Sequence, residues 1–281
     1  MKDLKKRVIT AIVLIAILLP VVFFGGVFID IFCGLACLGA TYELEKMYKG
    51  EEKWSLHAIF ALVLSVLAFT TIVLSVTFGD YIYILLFLLW AFIIFGFLLI
   101  FDRGSNIETL AKSLLSIFYP AIGFASLALV RNFETTLYRN GLFILVYVVL
   151  ICFCTDCFAY FFGVKFGKHR LAPIISPKKS WEGSIAGTAF AVVIPTIFAS
   201  LIGLNEVFFP ELQTGWAIVA TILLSFVLSV IDEIGDLFAS KLKRHYGIKD
   251  YSQIFPGHGG ILDRFDSYIF VGTMTLLLLL I

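Results

Sequence analysis

Ser229 to Ser267 reads SVIDEIGDLFASKLKRHYGIKDYSQIFPGHGGILDRFDS. Asp232, Asp236 and Asp263 lie inside or at the edge of apolar runs long enough to cross a bilayer. An ionised carboxylate there costs at least a few kcal/mol unless it is paired or metal-bound. These acids therefore need partners, and the apolar runs around them set the fold class.

The 281 residues are 60% hydrophobic and only 15% charged, with a mean hydropathy of +1.01. That balance excludes an ordinary soluble domain and points to an integral membrane protein. The net charge of +1 comes from short cationic clusters dispersed between apolar segments, which does not suit nucleic acid. Cys33, Cys37, Cys152, Cys154 and Cys157 all sit in apolar runs and read as small buried hydrophobes, not as a disulfide framework. Cys154 and Cys157 spell C-x-x-C, but no second Cys/His pair stands near to complete a zinc site.

A membrane core takes about 20 helical residues. Windows of that size fall at about 8–24, 27–47, 56–77, 80–100, 109–130, 140–163, 183–203, 214–240 and 260–281. The expected fold is all-α and polytopic, with about nine transmembrane helices. The division expected within one continuous membrane domain is 1–135 for the first five spans and 136–281 for the last four with their charged loops. The opening MKDLKKR and the run from Val8 to Phe24 lack a small-residue cleavage pattern, so a retained first span is expected. Pro120 should mark a kink in the fifth span, tolerated if a neighbouring helix satisfies the freed carbonyl.

Loop charges set the expected orientation. With a cytoplasmic N-terminus, one side holds Lys2, Lys5, Lys6, Arg7, Lys46, Lys49, Lys53, Arg103, Lys165, Lys168, Arg170, Lys178, Lys179, Lys241, Lys243, Arg244 and Lys249. Of the 21 lysines and arginines that is 17, against Arg131 and Arg139 on the other side, with Lys112 and Arg264 in or beside spans. So lopsided a split follows the positive-inside rule and places the C-terminus outside. The charged loops at about 164–182 and 241–259 then open on the cytoplasm, within reach of a soluble charged reactant. The short tails suit a bacterial cytoplasmic membrane.

Asp232, Asp236, Ser240 and Lys243 recur at helical spacing and share one face. Pairing of Asp236 with Lys243 or Arg244 would explain part of that face but leaves Asp232 without an obvious partner. Beyond it, Gly257, Gly259 and Gly260 allow close backbone approach to a ligand, and the following helix N-terminus attracts anions. Carboxylates suited to a hard cation, lysines and arginines suited to phosphate, and a glycine-rich turn together suggest phosphoryl or nucleotidyl transfer. His258 is either an acid–base or phosphate-donating group or a structural turn residue. The Ile175–Gly183 stretch, ISPKKSWEG, adds two ammonium groups for a triphosphate and, in Trp181, either a stacking surface for a pyrimidine or an interface anchor.

Ser240-Lys241-Leu242-Lys243-Arg244, Lys249-Asp250, Phe255-Pro256-Gly257-His258-Gly259-Gly260 and Asp263-Arg264-Phe265-Asp266 together resemble the signature of the phosphatidate cytidylyltransferases. A second block, from Thr155 to Gly163 and on to Ser176-Pro177-Lys178-Lys179-Ser180-Trp181-Glu182-Gly183, is similar to the same family. Ser180 stands where Thr is commoner and Cys157 where Thr or Ser is frequent. Asp156, Tyr160, Gly163 and Gly167 share a helical face there. Tyr42-Glu43-Leu44 resembles a short further element of the family; the alternative reading places Glu43 at headgroup level beside Lys46.

The resemblance implies transfer of CMP from CTP to phosphatidate. As catalytic residues it implies Asp236, Asp263, Lys243, Arg244, Arg264 and His258. For substrate binding it implies Asp156, Lys178, Lys179, Ser180, Trp181, Glu182, Ser240, Lys249, Asp250, Gly257, Gly259, Gly260 and Asp266. Asp236, Asp263 and Asp232 would hold Mg²⁺, with a monovalent cation such as K⁺ a candidate for a second position. The expected partners are CTP, phosphatidate, membrane lipids and a second copy of the chain, with no nucleic acid. Two other readings stay open: a different CTP-dependent lipid enzyme, such as a polyprenol kinase, and an ion-coupled transporter. The transporter would need polar positions spread through several spans, whereas the first five are almost wholly apolar.

Overall fold

The computed structural model describes residues 2–50, 54–102, 106–134 and 141–281, with side chains from residue 10 onward in those ranges. The loop cations Lys53, Arg103 and Arg139, and the side chains of Lys2, Lys5, Lys6 and Arg7, lie outside the described residues. All nine apolar segments expected from the sequence are helical. They are α1 (Lys2–Phe24), α2 (Val27–Lys49), α3 (Leu56–Phe78), α4 (Ile82–Phe101), α5 (Ile107–Arg131), α6 (Gly141–Phe166), α7 (Trp181–Leu201), α9 (Thr214–His245) and α10 (Leu262–Leu280). Seven of them, α2 to α7 and α9, are long and apolar enough to cross a membrane. Of α1, side chains are described only over Thr10–Phe24, and α10 carries Asp263, Arg264 and Asp266 near its start. The chain is a multi-pass membrane protein and nearly all helix.

Two elements depart from that expectation. The loop after α6 holds an antiparallel hairpin, β1 (Arg170–Ala172) with β2 (Ser176–Ser180). The five-residue helix α8 (Leu204–Phe208) follows Gly203, whose φ of 75° is left-handed. Strands of three and five residues are too short to show a two-residue period, which is why the sequence reads as plain loop there.

The chain divides into two compact units, residues 1–129 with 250–264 and residues 130–249 with 265–281. In the first, α2 packs on α1 and α3, and α3 on α4. Its core is built of Cys37, Ala40, Leu44, Ala61, Ile117, Ala121 and Phe124, all without exposed surface. Small residues here let helix backbones approach, the main source of helix attraction once lipid replaces water. The outward face of α4, including Phe92 and Ile100, is apolar and suits contact with lipid.

Pro120 lies inside α5 and has no N–H to give to the carbonyl of Ser116. The Thr41 hydroxyl of α2 lies 3.1 Å from that carbonyl oxygen and 3.0 Å from the Cys37 carbonyl one turn back, so its single proton serves both. A neighbouring helix thus satisfies the group that proline frees.

In the second unit α7 packs along α6 on one side and α9 on the other. The α6–α7 contact is made by glycines. A Cβ at Gly187 would lie 2.5 Å from the Thr155 carbonyl oxygen, and one at Gly183 would lie 2.5 Å from that of Ala159. Buried hydroxyls join the three helices: Tyr147 to Ser225 at 2.7 Å, Thr196 to Ser225 at 3.0 Å, and Thr155 to Ser229 at 2.9 Å. All five cysteines are free, and four are buried.

The pairing around Pro120 yields a double-mutant test. Thr41→Val should lower the unfolding free energy in detergent by about 0.5–1.5 kcal/mol, the range for a buried hydrogen bond. Adding Pro120→Ala should recover most of the loss, because alanine at that position supplies the missing N–H; purely additive effects would show that the two groups do not interact.

Candidate active site

The second unit gathers most of the expected acids. Asp232 has no exposed surface, and neither of its carboxylate oxygens has a hydrogen-bond partner among the described residues. Asp156 and Lys179 act on it electrostatically, and the Cys152 thiol lies beside it. One turn along α9, Asp236 Oδ2 lies 2.6 Å from the Lys179 ammonium, and its Oδ1 accepts from Ser240 at 3.3 Å. Asp266, at the start of the α10 segment in this unit, lies within electrostatic reach of Asp236, Lys243 and Asp156. Burial alone would lower the pKa of the Lys179 ammonium, but Asp236, Glu233 and Asp156 outweigh it and hold it above its ordinary value. Lys179 is therefore charged at neutral pH.

The ion pair of Asp236 thus reaches to the hairpin, although Lys243 and Arg244 are the cations nearest in sequence. Arg244 instead donates to the Ile248 carbonyl at 3.0 Å and closes the end of its own helix. Lys243 is buried at the same end of α9.

The hairpin that delivers Lys179 is held by Glu182. Its carboxylate accepts the N–H of Lys168 at 3.1 Å and of His169 at 3.2 Å, and pairs with His169 Nδ1 at 2.6 Å. The Trp181 N–H donates to the His169 carbonyl at 3.0 Å. Ser180 is the N-cap of α7 and accepts the Gly183 N–H at 3.2 Å. The close approach of α6 to this turn requires Gly163 and Gly167, since a Cβ at Gly167 would lie 2.6 Å from Ser180 Oγ. Ser180 and Glu182 therefore shape the loop, while Lys178 and Trp181 remain exposed on it. Glu233 was not singled out from the sequence. Ser184 donates to its carboxylate at 2.5 Å, which keeps it beside Lys179. Glu233 lies off the helical face shared by Asp232 and Asp236, so spacing along α9 does not mark it.

In the first unit, the glycine-rich turn is closed on itself. The N–H groups of His258 and Gly259 both donate to the Phe255 carbonyl, at 2.8 and 3.1 Å. Gly257 and Gly259 have φ of 77° and 87°, the left-handed region that glycine enters freely. Asp263 Oδ2 accepts the N–H of Tyr251 at 2.8 Å and of Gly260 at 2.9 Å, so this acid braces the turn. Of the amides from Gly257 to Gly260, only that of Gly257 has no bond among the described residues. His258 is partly buried, and Asp250 and Arg264 are exposed.

Glu43 is fully buried within the protein. It accepts from Ser252 Oγ at 2.5 Å and from the N–H groups of Ile261 and Leu262 at 2.8 and 2.9 Å. Its place near the end of an apolar helix and the Tyr42-Glu43-Leu44 resemblance were the sequence signals, and nothing local named its partners.

Among the described residues no three His, Cys, Asp or Glu side chains converge closely enough to cage an ion on their own. Mg²⁺ commonly takes only one or two carboxylates, filling its shell with water and phosphate oxygens. A buried, unpartnered Asp232 among further acids is the donor set such an ion needs, so these residues fit a divalent cation.

The family model for the cytidylyltransferase family matches residues 5–281. The chain belongs to that family. It is 34% identical over 271 residues to a phosphatidate cytidylyltransferase of Staphylococcus haemolyticus (strain JCSC1435), covering 95% of this chain and 96% of that protein. Proteins of the same name from Staphylococcus epidermidis (strain ATCC 12228 / FDA PCI 1200) and Staphylococcus aureus (strain COL) are 33% and 32% identical over the same shares of each chain.

Removing the Glu182 carboxylate tests its role. In Glu182→Ala the amides of Lys168 and His169 should exchange with deuterium several-fold faster, while exchange along α9 stays as in the parent protein. Unchanged exchange at these amides would show that the hairpin is held by other contacts.

Proposed function

We propose that the protein is a phosphatidate cytidylyltransferase, transferring CMP from CTP to phosphatidate to give CDP-diacylglycerol and pyrophosphate. The observation that carries this reading is similarity over 95% of the chain to proteins of that name. The buried acids and charged Lys179 support it chemically, since nucleotidyl transfer needs cations arranged around phosphate oxygens.

A phosphate oxygen of phosphatidate attacks the α-phosphorus of CTP in line, the α–β bridging bond breaks, and pyrophosphate leaves. A phosphate monoester dianion is already a competent nucleophile, so no strong general base is required. His258 need not be indispensable. Lys178 and Lys179 on the hairpin, with Lys243 and Arg244, bind and orient the phosphates; Arg264 is assigned to them by family resemblance alone. Trp181 offers the cytosine ring a stacking surface. Asp232 and Asp236 would hold the divalent cation; Asp263 is assigned to it by family resemblance alone. When bound, Mg²⁺ neutralises charge on the phosphate oxygens. The Lys179–Asp236 pair orients both side chains until substrate competes for the ammonium.

The reading places the N-terminus and both charged loops in the cytoplasm of a bacterial cell, on the side where CTP is found. It is supported by the distribution of loop lysines and arginines. Phosphatidate enters from the membrane lipids. Family resemblance further suggests a homodimer and a monovalent cation such as K⁺ at a second position.

Purified protein given labelled CTP, Mg²⁺ and phosphatidate should form lipid-linked cytidine and pyrophosphate in equal amounts, and neither product when phosphatidate is omitted or replaced by a polyprenol. Asp236→Asn should lower the rate by about 100-fold or more, the scale of losing a charged group that stabilises the transition state. Near-normal product formation by this variant, with intact membrane insertion, would sink the assignment of Asp236.

A further inference from the structure

We infer that Glu43 is a positioning residue for cytidylyl transfer: from α2 it clamps both ends of the segment 252–262, which carries the glycine turn and leads into Asp263. The inference rests on the cytidylyl-transfer reading above. It follows from where the donors of this segment go. Helix α10 begins at Leu262, and the position that would normally supply a capping side chain is Ile261, whose side chain has no polar atom. The cap comes instead from another helix. The two oxygens of Glu43 accept the N–H groups of Ile261 and Leu262 at 2.8 and 2.9 Å. Ser252, at the other end of the segment, donates to Glu43 Oε1 at 2.5 Å.

The surroundings are shaped for this contact. A Cβ at Gly260 would lie 2.7 Å from Glu43 Oε2, so only glycine leaves the carboxylate room. One turn before Glu43 on the same face of α2, Gly39 makes space for the Ile261 side chain, whose Cδ1 would collide with a Cβ there. The Thr10 hydroxyl of α1 donates to the Pro256 carbonyl at 3.2 Å and holds the middle of the segment. Between these anchors, Asp263 Oδ2 binds the N–H groups of Tyr251 and Gly260. Glu43 and Asp263 therefore share the work of folding the segment, and loss of Glu43 leaves Asp263 alone to join its two ends.

A carboxylate is the group that suits this position. It offers about four acceptor sites and no donor, and three donors point at it. Its bonds to backbone N–H are charge-assisted, and its negative charge faces the positive end of a helix. Glutamine at 43 keeps the shape but offers one acceptor oxygen, and its amide N–H₂ would face a donor. Glu43 is fully buried, so it acts through the loop and not on substrate.

Parent protein, Glu43→Gln, Glu43→Asp and Ser252→Ala are to be compared in mixed micelles, by steady-state kinetics with CTP and phosphatidate and by amide hydrogen exchange. For Glu43→Gln, kcat should fall about 10- to 100-fold, the scale of a small misplacement of reacting groups. The KM for CTP should change by less than about threefold, as for interactions realised in the transition state. Exchange should rise in residues 251–262 and stay unchanged in residues 170–200. Glu43→Asp should regain part of kcat, because it restores the charge, and Ser252→Ala should show a smaller loss of the same kind. A parent-like kcat in Glu43→Gln would overturn the inference, and so would a loss accompanied by equal exchange increases in both regions, which marks general loosening. Absence of lipid-linked cytidine from the parent protein would instead overturn the function reading, and the exchange contrast would still decide whether Glu43 clamps the segment.

Discussion

A carboxylate removed from water in a bilayer is stable only beside charge or donors that replace its hydration, and the polar architecture of this protein answers that requirement. The answers differ from acid to acid. Asp236 takes an ammonium from the hairpin, Glu233 a serine hydroxyl, and Glu43 three donors at the start of a helix. Asp232 has the charge of Lys179 and the Cys152 thiol nearby but no hydrogen bond of good geometry to either oxygen among the described residues, which marks it as the acid with capacity left for a cation. Graded satisfaction of this kind separates groups that build the loops from groups available to chemistry.

The second constraint is close packing without a hydrophobic drive between helices. Gly183 and Gly187 bring α7 against the carbonyls of α6, and buried hydroxyls tie α6, α7 and α9 together. This rigid trio carries Asp156, Asp232 and Asp236, and it supports the hairpin at the point where Ser180 caps α7. Pro120 shows the same economy in the first unit, where a threonine on α2 supplies what the proline of α5 withholds. Membership of the cytidylyltransferase family and the position of these acids are thus linked through helix packing, since the acids can approach one another only where the helices do.

Several groups implied as substrate-binding or catalytic have structural work in this conformation. Ser180 and Glu182 cap and hold the hairpin, Asp263 braces the glycine turn, and Arg244 closes the end of α9. Such bonds are local in effect but decide how the exposed Lys178 and Trp181 are presented. A residue within a signature motif can therefore be needed by the fold of the site without touching the reactants.

Hydropathy alone determined the nine helical segments, because a span must be both long and apolar, and helical spacing alone placed Asp232, Asp236, Ser240 and Lys243 on one face. Spacing within the motifs also determined the kind of chemistry, since carboxylates, ammonium groups and glycines were adjacent in the chain. Pairing between distant segments was not legible. The hairpin strands were too short to show a period, Lys179 meets Asp236 across 57 residues (236 − 179), and Glu43 reaches Leu262 across 219. These choices depend on which helix faces meet, and that is decided by side-chain packing in three dimensions: a glycine opens a gap, a neighbouring carboxylate fills it, and the local sequence carries no record of the partner.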